Sequence, residues 1–149
     1  MGTAMLTPLA GRHEARLWGT VHDAAIIAGM QAGEPHPRLA VRVPEDVRLY
    51  PSANLGDALD DAEIAVLAVS SHGVRPIMRE IAPYLSRAQA VVILSKGLEQ
   101  AQIAGPVKRL SEAAAEYTSV PVVAVGGPGI AREVAFGVPT AAVFGSASV

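Results

Sequence analysis

Four short apolar runs constrain the fold more than any other feature of the chain. They are Ile64-Ala65-Val66-Leu67-Ala68-Val69, Ala90-Val91-Val92-Ile93-Leu94, Val120-Pro121-Val122-Val123-Ala124-Val125 and Thr140-Ala141-Ala142-Val143-Phe144. Each is rich in β-branched residues, and each is continuous rather than alternating. That pattern predicts parallel strands covered on both faces by helices. Pro121 suits a strand start, because it cannot donate to a ladder.

Helical segments lie between the runs. Val74 to Leu85 places Val74, Ile77, Met78, Ile81 and Leu85 on one face, with Arg75, Arg79 and Glu80 opposite. Pro76 fits the first turn. Val107 to Tyr117 gathers Val107, Leu110, Ala114 and Tyr117 in the same way. Asp57 to Ala62 reads as a short acidic helix, and His22 to Gln31 as another that Gly33 stops. Glu34-Pro35-His36-Pro37-Arg38 must be a loop, since its two prolines suit neither a helix interior nor a central strand. Arg48-Leu49-Tyr50 is a further strand candidate. The alternation predicts an α/β, Rossmann-like, doubly wound and mostly parallel sheet in one domain.

Composition narrows the function classes. The 149 residues suit one core, half are apolar, and the formal charge is −2. Aromatics make up only 4%, so the core must be built from Ala, Val, Leu and Ile. The charge offers no field for nucleic acid or an anionic membrane. The longest apolar runs fall far short of the ~20 residues a spanning helix needs. No basic segment followed by an apolar stretch marks a signal peptide. There is no cysteine, which excludes disulfides and thiol chemistry and fits a cytoplasmic protein. His13, His22, His36 and His72 show no metal-ligand spacing, so no metal is expected.

The start of the chain reads as the back half of a glycine-rich nucleotide-binding turn. Met1-Gly2 opens a helix over Thr3 to Ala10, and His13 to Trp18 reads as the strand after it. A βαβ unit has a strand before that turn. Residues 1–149 are therefore expected to be a partial dinucleotide-binding domain, lacking the first, central strand. The strands on either side would then lose their shared partner. Each buried unpaired backbone group costs about 1–3 kcal/mol, against about 5–15 kcal/mol for a whole domain. The chain alone is expected neither to bind cofactor tightly nor to fold cooperatively.

Candidate site residues follow from one rule: in open parallel sheets, ligands lie at the carboxyl ends of strands. Ser70, Ser71 and His72 follow the first run. Helix capping competes there, and is preferred for Ser71. Lys96 follows the second run and precedes Gly97, so its ammonium can meet a phosphate as a point charge. Gly126-Gly127-Pro128-Gly129 follows the third, with a helix starting near Ile130. Such a turn aims backbone N–H groups at an anionic ligand. Gly19-Thr20 ends the strand after Trp18, near where an adenosine would lie, with no carboxylate until Asp23. No Ser-His-Asp arrangement supports hydrolysis.

These stretches resemble the N-terminal domain of the NAD(P)-dependent glycerol-3-phosphate dehydrogenases. His13 to Trp18 resembles that family's GHEVRLW strand, and Ala68 to Ser71 its VVPS strand end. Ser95 to Glu99 matches SKGLE, Gly127 to Ala135 resembles GPSFAxEVA, and Gly137 to Ala141 resembles GLPTA. The last two, in order and spacing after the lysine motif, are the most specific. The resemblance implies cofactor contacts from Gly2, Thr20, Ser70, Lys96 and Ala131, and substrate contacts from Lys96, Gly127 and Gly129. The cofactor would be NAD or NADP, and the substrate a small phosphorylated molecule. The family's catalytic lysine would lie in a following helical domain, through which a homodimer could form. The chain departs from the pattern at Ser70, where the family has proline, and at Gly129, where it has Ser, Thr or Asn. Thr20 stands where Arg, His or an aromatic is common. Two alternatives remain: another Rossmann reductase resembling ketopantoate reductase, or a non-catalytic dinucleotide-binding module.

Overall fold

The computed structural model describes residues 1–100 and 105–147. In chain order the elements are α1 (Gly2–Leu9), β1 (Arg16–Trp18), α2 (Ala24–Gln31), β2 (Arg48–Tyr50), α3 (Leu55–Leu59) and β3 (Ile64–Leu67). They continue with α4 (Val74–Ile81), β4 (Ala90–Ile93), β5 (Leu98–Gln100), β6 (Val107–Arg109), α5 (Leu110–Ala115), β7 (Val122–Gly126), α6 (Ala131–Ala135) and β8 (Val143–Ser146). They group into two compact units: Met1–Asp60 with Pro128–Ala141, and Asp61–Gly127 with Ala142–Val149.

The first unit holds a parallel pair, β1 beside β2, with Arg16 opposite Arg48 and Trp18 opposite Tyr50. Short helices surround it. α1 packs on α6, and Ala4, Leu39 and Ala135 form a small apolar cluster. The Thr7 hydroxyl donates to the Ala135 carbonyl at 3.0 Å, tying the same two helices. Leu6, Ala15 and Val47 form a second cluster. Gly33, at φ +82°, ends the turn after α2, as the sequence predicts. In the proline loop that follows, His36 Nδ1 accepts from the backbone N–H groups of Arg38 and Leu39, each at 3.2 Å.

The second unit is built on a sheet of order β3-β4-β7-β8. β3, β4 and β7 are parallel. Its core contains the largest fully buried side chains, Met78, Ile93, Val74 and Val91. They come from α4 and β4, and the Val74, Met78 and Ile81 face predicted from the sequence is buried. α5 packs on α4 and β7 through Leu110, Ala113 and Ala114. β5 and β6 form a separate antiparallel pair. The α/β class is as expected, and among the described residues three of the five strand pairings are parallel. β1-β2 and β3-β4-β7-β8 are separate ladders.

Three expectations need correction. The fourth run forms β8 at Val143–Ser146, antiparallel to β7 and exposed throughout. A parallel return needs a crossover helix on the same sheet, whereas α6 packs on α1. β3 is covered on one face only, burying Ala65 and Leu67 and exposing Ile64 and Val66. Val107–Arg109 is strand, not helix. The Arg109 N–H donates to Glu112 Oε2 at 2.8 Å, which starts α5 at Leu110.

Candidate functional site

In the second unit the parallel strands β3, β4 and β7 are neighbours, so their carboxyl ends lie along one rim. Ser70 lies just beyond β3, Lys96 just beyond β4, and Gly127 just beyond β7. The Ser95 hydroxyl donates to the Val69 carbonyl at 2.5 Å. The Lys96 ammonium donates to the Gly127 carbonyl. The structure thus brings together the lysine and the first glycine of the candidate substrate set. Gly97 and Gly127 have φ of +120° and +122°, values that favour glycine. A Cβ at Gly97 would meet open space, so the glycine there serves backbone conformation rather than packing.

Lys96 is exposed, and no carboxylate pairs with it among the described residues. Among the described residues its partner is a neutral carbonyl, so the charge is available to an anion. Ser70 precedes a short 3-10 turn over Ser71–Gly73, and its side chain makes no capping bond. Ser71 lies inside that turn, which corrects the expectation that it caps.

The remaining candidates belong to the first unit. Gly2 is the first residue of α1, and Ala131 the first of α6. The Ala131 methyl packs against the Ala4, Leu39 and Ala135 cluster. Gly129 has open space where a side chain would stand. The Thr20 hydroxyl is already engaged. It donates to Asp23 Oδ2 at 2.6 Å and accepts from the His22 N–H at 3.3 Å, while the Thr20 N–H donates to Asp23 at 3.0 Å. That is a capping box, formed with the first carboxylate after β1. The Trp18 indole donates to the Ser52 carbonyl at 3.2 Å, so its polar edge serves structure. Gly19 is buried, and a Cβ there would collide with the Ile27 side chain.

Sequence reasoning missed an ionic cluster beside the rim. It put Arg75 on the outer face of α4, with Arg79 and Glu80. In the structure Arg75 Nε donates to both oxygens of Glu99, at 2.8 and 2.7 Å. Its two terminal nitrogens donate to the two oxygens of Glu116, at 2.6 and 3.2 Å. Lys108 pairs with Glu116 at 2.5 Å, and Arg79 lies over the Tyr117 ring. Hydrogen bonds from Arg75 and Lys108 pull the Glu116 carboxyl down to about 2. Those to Glu116, Tyr117 and Glu99 push the Arg75 guanidinium up. The opposite charges at 75, 99 and 116 were the available signal, but a pairing 24 or 41 residues apart has no local pattern. Among the described residues, no group of three or more His, Asp or Glu could hold a metal ion. No described helix is long and apolar enough to cross a membrane.

Comparison with known proteins agrees with this geometry. Residues 1–149 match the family described as NAD-dependent glycerol-3-phosphate dehydrogenase N-terminus. The chain is 41% identical over 154 residues to an NADP(+)-dependent glycerol-3-phosphate dehydrogenase of Archaeoglobus fulgidus, a match covering 99% of this chain and 44% of that protein. It is 33% identical over 147 residues to a glycerol-3-phosphate dehydrogenase [NAD(P)+] of Nitratidesulfovibrio vulgaris, covering 98% and 44%. Among solved structures, the glycerol-3-phosphate dehydrogenase of Coxiella burnetii is similar with a TM-score of 0.78 at 23% identity, covering 99% of this chain and 43% of that one. That likeness shows the fold. The chain spans less than half the length of these curated relatives.

Proposed function

The chain belongs to the NAD-dependent glycerol-3-phosphate dehydrogenase N-terminal family, and from that premise we propose that it is the cofactor-binding part of an oxidoreductase. The reaction would interconvert glycerol 3-phosphate and dihydroxyacetone phosphate with NAD or NADP. One observation carries the reading: the Lys96 ammonium lies against the Gly127 carbonyl at the ends of neighbouring parallel strands.

The residues present fit a phosphate-bearing cofactor and substrate. The rim of the second unit offers a cation without a carboxylate partner among the described residues, a serine hydroxyl and glycine backbone. When bound, the nicotinamide supplies the hydride chemistry. The chain's own residues bind and orient. Lys96 holds phosphate as a point charge. Gly127 and Gly129 leave room for the substrate, with Gly129 offering no polar side chain to it. Gly2, Thr20, Ser70 and Ala131 complete the cofactor contacts, with the Thr20 hydroxyl, N–H and carbonyl all bonded within its own turn. No residue of this chain is assigned the proton transfer. The reading extends to a cytoplasmic homodimer, paired through the part of the relatives' length that this chain does not span.

The test is a titration of the 149-residue chain with NADH and NADPH, followed by cofactor fluorescence, and with glycerol 3-phosphate, followed by amide NMR shifts. Weak saturable binding that moves the Lys96 and Gly127 signals is expected. Lys96→Met should weaken it about tenfold, or about 1.4 kcal/mol. Equal affinity in the variant, or shifts confined to other regions, would count against the proposal.

A further inference from the structure

We propose that Arg75 is a positioning residue for Lys96. It straps the segment after β4 to the start of α4 and the end of α5, and so holds the ammonium at the rim. The inference rests on the reading of Lys96 as the phosphate contact.

Lys96 has a flexible side chain and is followed by Gly97 at φ +120°. A glycine in that conformation satisfies the turn without fixing it, because it has no side chain to pack. The segment therefore needs restraint from both sides. On the amino side the Ser95 hydroxyl supplies it, through Val69. On the carboxyl side the chain enters β5, which among the described residues pairs with β6 and does not join the four-stranded sheet. The strand ladder joins Glu99 to Lys108 and, through β6, to the start of α5, but it does not reach α4.

Arg75 supplies the tie to α4. It sits next to Val74, which is fully buried, and three residues before Met78, which is also fully buried. Its backbone is thus anchored in the best-packed part of the molecule. One edge of its guanidinium takes Glu99, and the other takes Glu116 in a two-bond fork. A planar guanidinium can meet two carboxylates in this way, and an ammonium cannot. The Arg75 and Glu99 side chains retain only 24% and 21% of their exposure, so solvent screens them less than a free surface pair. Lys108 of β6 adds a second tie to Glu116. An ordinary solvated arginine would leave these acids apart.

Hydrogen exchange and a double-mutant cycle on the full 149-residue chain test the assignment. Arg75→Met should speed amide exchange at 96–98 about tenfold or more while leaving exchange at Val91 and Ile93 unchanged, since local and global openings are separate events. It should weaken glycerol 3-phosphate binding about three- to tenfold, and the same change in a Lys96→Met background should have no further effect. Arg75→Lys should fall between, because it keeps the charge but loses the fork. Glu99→Gln, a near-isosteric change on a strand, repeats the exchange test if Arg75→Met does not fold. Unchanged exchange at 96–98 in the folded variants would overturn the proposal, as would an Arg75 effect that persists undiminished beside Lys96→Met. If Lys96→Met leaves binding unaltered, the phosphate reading fails, while exchange at 96–98 still decides whether Arg75 restrains the segment.

Discussion

The two compact units are assembled from similar amounts of chain but differ in how they bury it. In the second, a four-stranded sheet and two helices enclose Met78, Ile93, Val74 and Val91 almost completely. In the first, a two-stranded ladder is surrounded by short helices and a proline loop; its large buried side chains, such as Ile27, Leu6 and Met30, each keep a few per cent of their exposure, and among the described residues only Ala4 is sealed completely. Large side chains sealed from water contribute roughly 1.5–3 kcal/mol each, and an alanine far less. The rim carrying Ser70, Lys96 and Gly127 belongs to the unit with the better core. A site must be held to a fraction of an ångström by its support, so that placement suits it.

The largest expected effect that would sharpen this contrast is Met78→Ala. It should cost about 2–5 kcal/mol, read by denaturant unfolding through amide exchange at Val91 and Ile93. Leu6→Ala, in the first unit, should cost about 2 kcal/mol, near the low end for such changes, because the small cluster around it can collapse. Trp18, the only tryptophan, lies in that unit and reports its unfolding. Its fluorescence transition should fall at lower denaturant than loss of protection at Val91. Coincident transitions would break the comparison outright, since they mark a single cooperative step. Gly19→Ala forces a methyl against Ile27 and should cost about 1–3 kcal/mol, again seen first at Trp18.

The smallest effects are set by pH, and they too divide the units. Burial lowers the His36 imidazole from its ordinary 6.5, so the fold prefers the neutral ring whose Nδ1 accepts from Arg38 and Leu39. That contribution is complete above 6.5 and is lost as pH falls through the folded value. NMR shifts at Arg38 and Leu39 should move in this window. Glu116 behaves like other depressed carboxylates, and its contribution is present above 4.5 and lost as pH falls toward about 2. Acid should therefore disturb the proline loop well before the Arg75 cluster. The reverse order would contradict the assignment of either group.

Sequence reasoning went furthest where a local pattern had a local cause. The Val74 to Leu85 face, the Gly33 stop and the Arg48–Tyr50 strand need only neighbours in the chain, and all are present. The rim was legible too, because a lysine or glycine directly after an apolar strand is placed by the strand itself. Failures came where remote partners decide. Apolar content at 140–144 marks a strand but carries no information on its direction, which depends on where α6 packs. Val107 has helix-compatible spacing with Leu110, yet its pairing with Gln100 wins. The engagement of Thr20 could have been read from Asp23 three residues on, the spacing of a capping box. Arg75 could not, since nothing near position 75 announces Glu99 or Glu116.

The bond from the Ser95 hydroxyl to the Val69 carbonyl has a mechanical consequence. It lies past the last rung between β3 and β4, where Leu94 N–H meets the Leu67 carbonyl, and so acts as a rivet across the seam. Ser70 and Lys96 are then mounted on one stiff bracket. Any yielding of this lip to admit a guest falls to the neighbouring strand end, where Gly127 turns without a side chain to brace it.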